Sequence, residues 1–533
     1  MSKVTYVLLS LALFVIALAL RGLAPYPLDI LGDDATYAFR SVGYFDHLAS
    51  QLQTTPYQWF AVPPWWAKLS FHDHPPFSFL FYHAAFLMFG MHTLVLRVLP
   101  LLCGLASVWL VMLIAGRLAG RCAALIAGAS AAVVSGLVWI SRIALLEGAL
   151  IPLLLAALYA WLRMHEGRWW VAVFGLCAGI AVITKYSALL LVVPMCLWLL
   201  VQAARQKAVK RALVAFAVIA AVISPVIVYN VMMLRTRAHP DYQLSRLFHV
   251  NSADWREDFS GTRPLQMSHA LLMLNDEASL AGSVLFAAAC AWLMTMWWKT
   301  RRQDYGMLAL AIIALYSGAA WMGGDARFIV PLVPFLCIAA GVAHADIASR
   351  PLMRRWGIAG GGILLLAMAV YSINTHMHPR PLGREGVAFA RTRMTNFGYE
   401  QLDRYLLRLY QERGSAGDLW EDGKGETLYI YDSDMNYFPR LWYTQRRVTY
   451  QGVPFTSTQE FKKLIEAKGE EYLPSQGFGR YVFIHALPGA LLVPENVRDD
   501  TAELMAHALE KQSVSGITIT RADGAPAFRL YEF

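Results

Sequence analysis

The feature that most constrains this chain is a series of blocks, each roughly 17–22 residues long, that carry almost no charge. As helix, a block of that length crosses the ~30 Å hydrocarbon core of a bilayer. The first runs from Val4 to about Ala24. Others follow near 95–116, 120–138, 143–163, 169–186, 187–203, 211–231, 279–298, 306–322, 327–345 and 356–374. Composition agrees with this pattern. Of the 533 residues, 57% are hydrophobic and 16% charged, against about 45–50% and ~25% in soluble domains. A soluble enzyme, a disordered scaffold and an outer-membrane barrel, with strands of only ~10 residues, are excluded. The expected fold class is a polytopic α-helical membrane protein of about 11 spans with a soluble α/β tail.

Charge sets the orientation. The net charge of +9 does not call for nucleic acid, because Lys and Arg accumulate in cytoplasmic loops and orient the spans. Ala203–Arg211, Lys299–Arg302 and Arg350–Arg355 read as such loops. The first apolar run is longer than the ~7–15 residues of a signal peptide, so it is expected to remain as a span with the N-terminus inside. Counting spans then puts two long loops outside, about 25–94 and 235–278, together with the Arg142 turn, the Lys185 turn and the tail. Pro75–Met91 is expected to lie in the interface without crossing. The domain expectation is a membrane unit over 1–375 and an outer α/β domain over 376–533. All six cysteines fall in apolar blocks, so no extramembrane disulfide framework is expected.

The tail shows a helical pattern within Gly386–Gly414, with Leu402, Leu406 and Leu409 on one face. Strands are expected at Thr427–Tyr431, Val448–Gln451 and Tyr481–Ile484. A final hairpin, Ile517–Thr520 with Ala527–Tyr531, is expected to turn at Asp523-Gly524. No catalytic motif stands out in it.

Chemistry-bearing residues gather instead at the outer ends of spans. Asp33 and Asp34 follow the first span, and either caps a helix or supplies acid–base chemistry. His72-Asp73-His74-Pro75-Pro76 offers a weak metal fragment in His72, Asp73 and His74, since His and carboxylate are zinc ligands; a structural loop explains it equally well. Arg142 and Glu147 share one short turn, Lys185 sits in another, and Arg327 opens a span with Pro331 and Pro334. A charge at a helix end can snorkel harmlessly. Cations outside run against the positive-inside trend, however, and ionisable groups near the bilayer are functional candidates. Two or three cations facing carboxylates suit a phosphate and a proton transfer. Trp59, Trp65 and Trp66, set among prolines, suit a lid, an acceptor rim or an interfacial belt.

In this order the motifs resemble the GT-C glycosyltransferases of the protein O-mannosyltransferase and aminoarabinose-transferase superfamily, over roughly residues 1–345. The resemblance implies a polyprenyl-phosphate-linked sugar donor, an envelope lipid, glycan or protein acceptor, and a site facing the periplasm of a bacterial inner membrane. It also implies Asp33 as the base, with Asp34 standing where relatives carry Glu, and Glu147 as a further acid. Arg142, Lys185 and Arg327 are implied around the lipid phosphate, and Phe328 replaces a more usual Tyr. Asp73, His74 and Trp66 fall to acceptor or loop contacts. A divalent metal is left open as a cofactor, and no nucleic-acid partner is expected. The alternative is a multi-span transporter or flippase for a lipid-linked or anionic substrate, which would show internal repeats.

Overall fold

A computed structural model describes residues 2–23, 28–44, 53–69, 72–206, 209–259, 265–323, 325–378, 382, 396–412, 427–491 and 498–533. Its contacts divide the chain into two units, Met1–Leu23 with Arg40–Arg391, and Ala24–Phe39 with Thr392–Phe533.

The first unit is a helical bundle. Among the described residues, eight helices are long and apolar enough to cross a membrane: Lys3–Gly22, Val95–Val133, Tyr186–Arg205, Val209–Arg237, Met267–Thr300, Gln303–Met322, Ala326–Ser349 and Pro351–His376. Phe77–Phe89, Leu146–Leu162 and Arg168–Thr184 are shorter apolar helices. The 13 residues of Phe77–Phe89 reach only about 20 Å, short of the hydrocarbon core.

Two long helices are interrupted where the chain dictates it. In Val95–Val133 the break falls at Ala119 and Gly120. The φ of +83° at Gly120 is one that glycine adopts without a Cβ penalty. The second arm packs closely on Val333–Ser349. A Cβ at Gly341 would lie 2.5 Å from the Ala123 carbonyl oxygen, so glycine is what permits the approach. Beyond it the helix ends at Val134, which is extended. The carbonyls of Ala131 and Ala132 each accept a 2.8 Å hydrogen bond from the buried Arg21 guanidinium. Backbone groups freed inside a bilayer must find partners within the protein, and Arg21 supplies them.

Met267–Thr300 breaks at Ser279, whose φ is 69°. The Ser279 hydroxyl accepts from the Gly282 N–H at 3.3 Å, starting the second arm. The sequence reading begins this span at 279 because Asn275, Asp276 and Glu277 lower the local hydropathy; the structure adds a helical arm from Met267 before it.

Among its described residues the second unit holds five strands, β1 (Thr427–Tyr431), β2 (Phe455–Ser457), β3 (Arg480–Ala486), β4 (Gly516–Thr520) and β5 (Pro526–Glu532). Their order is β2-β1-β3-β5-β4. The first three run parallel, and the β4–β5 hairpin joins β3 antiparallel. Leu428, Ile430, Phe483 and Tyr531 pack on Ala502, Ala506 and Leu509 of the helix Thr501–Lys511. Leu402, Leu406 and Leu409 are buried on Tyr399–Glu412; positions 386–395 of that expectation lie outside the described residues.

One expected strand is wrong. Val448–Gln451 belongs to the helix Arg446–Gln451, and the strand comes later, at Phe455–Ser457. β-propensity yields here to tertiary pairing. The helix buries Arg447 against Asp403, with a 3.1 Å bond from Nε, and stacks Arg446 on Trp442 with its guanidinium carbon 4.0 Å from the ring centroid.

Asp29 ties the segment beyond the first span into this unit. Its carboxylate accepts from the N–H groups of Phe397 at 2.5 Å and Glu400 at 2.8 Å. Burial nevertheless pushes its pKa up to about 7. The native state therefore holds a proton that the unfolded chain releases above about pH 4. The Asp29 contribution to stability is full below that value and is lost as pH rises through about 7. Protease resistance of the second unit, assayed on the full-length protein, is expected to fall with pH across this window. Asp29→Asn is expected to flatten that slope.

Candidate active site

At one end of the bundle three short segments meet. Leu146–Leu162 begins with Glu147 in its first turn, Lys185 caps Arg168–Thr184, and Arg327 lies in the short helix Ala326–Ile329 that opens a span. Each sits where a span starts or stops, so its polar head reaches the bundle end; Lys185 itself is extended, at the break before the next span.

The Lys185 ammonium donates to the Glu147 carboxylate. Glu147 is 1% exposed, so the pair is withdrawn from water. Arg327 is the next positive charge to act on Glu147. Both cations lie near the Phe328 ring, with Lys185 Nζ 4.9 Å and the Arg327 guanidinium carbon 5.2 Å from its centroid. Cations sit favourably over an aromatic face. These residues line a small cleft with Ser187, Leu190, Met322 and Pro331. The arrangement presents two cations and one buried carboxylate above an apolar floor, which suits an anionic head on a hydrocarbon chain.

Asp325 fixes Arg327. Its carboxylate accepts from the Arg327 N–H at 3.1 Å and lies 3.1 Å from the guanidinium Nε.

The remaining expected residues lie elsewhere. Arg142 is buried between two helices and donates to the His376 carbonyl at 2.9 Å, at the C-terminal end of Pro351–His376. There a cation meets free carbonyls and the negative end of the helix dipole. It is not among the cleft-lining residues. Trp66 is 4% exposed and packs edge-on against Tyr229.

Asp73 accepts from the buried Arg40 guanidinium at 2.6 Å, with His74 Nδ1 at 3.2 Å and His72 Nδ1 at 3.8 Å. Burial opposes its charge, but Arg40 and the two histidines hold the carboxyl well below the usual range. Arg40 also stacks on Phe79, 4.2 Å from the ring centroid. The anion is thus spent on a guanidinium, and His72, Asp73 and His74 do not fit a metal centre. Among the described residues no three His, Cys, Asp or Glu are arranged to hold a metal ion. Asp73→Asn would leave Arg40 buried without its counter-ion. It is expected to cost about 3–5 kcal/mol, read as a lower thermal midpoint in detergent.

A family model described as dolichyl-phosphate-mannose-protein mannosyltransferase matches residues 73–229. That stretch contains Asp73, His74, Arg142, Glu147 and Lys185. No curated protein matches the chain. Among solved structures, ArnT from Cupriavidus metallidurans bound to undecaprenyl phosphate superimposes with a TM-score of 0.55 at 16% identity, over 99% of this chain and 97% of that one. The apo form of the same protein gives 0.53. The oligosaccharyltransferase AglB from Archaeoglobus fulgidus, in complex with an inhibitory peptide and a dolichol-phosphate, gives 0.54 at 14% identity, over 90% and 69%. The chain has the GT-C fold.

Within this GT-C fold the acidic pair groups with the second unit. Asp33 and Asp34 open the helix Asp33–Gly43. Asp34 is buried, and its carboxylate accepts from the Gly32 N–H at 2.9 Å and the Ala35 N–H at 3.1 Å, so it closes the turn. Asp33 is partly exposed.

Sequence reasoning missed a clasp between the two long loops. Asp254 takes two hydrogen bonds from Arg237, at 2.6 and 2.8 Å, and lies 2.8 Å from His239 Nε2. Trp59 packs edge-on against both His239 and Trp255. The cluster of charges in 235–260 was visible in the sequence, but not its pairing with residues near 55.

Proposed function

We propose that this protein is an integral-membrane glycosyltransferase that moves a sugar from a polyprenyl-phosphate donor to a hydroxyl acceptor. We place the reaction on the periplasmic side of a bacterial inner membrane, and take the acceptor to be an envelope lipid, glycan or protein. The observation that carries this reading is the cleft itself, where Lys185 and Arg327 both approach the Phe328 ring beside the buried Glu147. The ArnT relative binds undecaprenyl phosphate, which is an anionic head on a long hydrocarbon chain.

The chemistry follows from the leaving group. As the bond from the anomeric carbon to the phosphate oxygen breaks, negative charge grows on the phosphate. Lys185 and Arg327 meet that charge where little water competes, and so lower the barrier. Phosphate entering the cleft competes with Glu147 for the Lys185 ammonium. Glu147 therefore orients the lysine before donor binding and repels any anion that does not engage both cations. The acceptor oxygen attacks the opposite face of the anomeric carbon while its proton passes to a carboxylate, and the configuration inverts. Asp33 takes the proton in this proposal, because it stands where the transferases that the chain resembles carry their base, as first acid of the pair. Arg142 holds the end of Pro351–His376 and acts at a distance.

The test incubates purified protein with labelled undecaprenyl-phosphate hexoses and pentoses and an envelope extract, and measures release of undecaprenyl phosphate. Release that depends on the protein and is lost in Lys185→Ala supports the proposal. Intact movement of the donor across proteoliposomes, with no cleavage, would replace it with the transporter reading.

A further inference from the structure

The loop between positions 53 and 69 carries an apolar tip that the site described above does not use. Val62 is 82% exposed and Trp65 is 70% exposed. Pro63 and Pro64 lie between them, and proline fixes φ, which stiffens the tip. A soluble loop rarely spends a Val and a Trp on water together, so the patch calls for a partner.

The neighbours of the tip show what that partner is. Trp66, the next residue, is buried against Val226, Tyr229 and Met233 on Val209–Arg237, with Ile183 and Tyr186 beside it. On the same membrane-spanning helix Ile227, Val228, Val231 and Leu234 are exposed, at 49%, 48%, 39% and 51%. Exposed aliphatic side chains on a spanning helix face lipid. Those four positions bracket the axial level of Tyr229 and Met233, where Trp66 docks. The tip therefore projects at a depth where its neighbouring span still presents hydrocarbon. Lys68, three residues after Trp65, is exposed, and a lysine beside a tryptophan suits the headgroup boundary.

We propose that Ala61–Trp65 inserts into the phospholipid leaflet at this end of the bundle, with Trp65 and Val62 in the acyl boundary and Lys68 at the phosphates. The loop is then held from two sides, by Trp66 on protein and by Trp65 on lipid. This inference stands apart from the transferase reading, because it needs only the spanning helix and the loop.

Photocrosslinking tests it. p-Benzoylphenylalanine is placed at Val62 or, separately, at Trp65 in the full-length protein, which is reconstituted in nanodiscs of phosphatidylethanolamine and phosphatidylglycerol. Leu234 serves as the lipid-facing control and Lys463, exposed in the second unit, as the aqueous one. The expected result is phospholipid adducts by mass spectrometry at 62 and 65, at a yield within a few-fold of position 234, and none at 463. Absence of lipid adducts at both 62 and 65, with position 234 labelled, would overturn the proposal. So would adducts to a co-purified envelope glycan in place of phospholipid. Two independent positions keep the test decisive if one variant fails to fold.

Discussion

Asp33→Asn is expected to lower the turnover of sugar transfer by about 10²–10⁴-fold, the usual contribution of a positioned general base. The loss should fall on kcat with little change in donor affinity, because the amide keeps the size and hydrogen-bonding shape of the acid and loses only its basicity. Asp34→Asn is the informative partner. Asp34 accepts from two backbone N–H groups in its own turn, so its loss should register first as reduced stability of the helix start and only then as activity. Steady-state kinetics with labelled donor, alongside thermal unfolding of each variant, separates the two. Full turnover by Asp33→Asn would remove it from the base role.

Lys185→Ala carries the second large effect, and it registers in two separate measurements. Donor affinity should fall steeply, because one of the two cations facing the phosphate is gone. Stability should also fall, by about 3–5 kcal/mol, because Glu147 is left buried without its charge partner. The double variant Lys185→Ala with Glu147→Ala should recover most of that stability while donor affinity stays low. Isothermal titration with undecaprenyl phosphate and thermal unfolding read the two quantities independently. Unchanged affinity in Lys185→Ala would place the phosphate elsewhere.

Much of this was legible because membranes impose simple rules. A helix must be long and apolar to cross, so spans such as Lys3–Gly22 and Pro351–His376 can be read from hydropathy. Asp523-Gly524 marks the last hairpin, because its glycine takes φ +81° without strain. Glu147, Lys185 and Arg327 stood out because charge at those span ends is expensive unless it is used. What stayed hidden depends on partners far along the chain. Nothing near Asp73 signals that Arg40 will occupy it, and nothing in Val448–Gln451 signals that Arg447 will find Asp403. The arm before Ser279 was hidden for another reason. Its Asn, Asp and Glu dilute the hydropathy that a window measures, while the backbone remains helical on both sides of the break.

The ties of Asp29 bear on how the chain is assembled over time. Phe397 and Glu400 follow it by 368 and 371 residues, so the second unit is built from a short early piece and a long late one. During synthesis residues 28–39 emerge before almost every span has been inserted, and wait until the last strand is made. Closing so distant a contact is slow compared with local pairing. The second unit should therefore be the last part of the protein to gain protection from proteolysis during biogenesis. Expressed from residue 376 onward alone, it should lack a piece of its own structure.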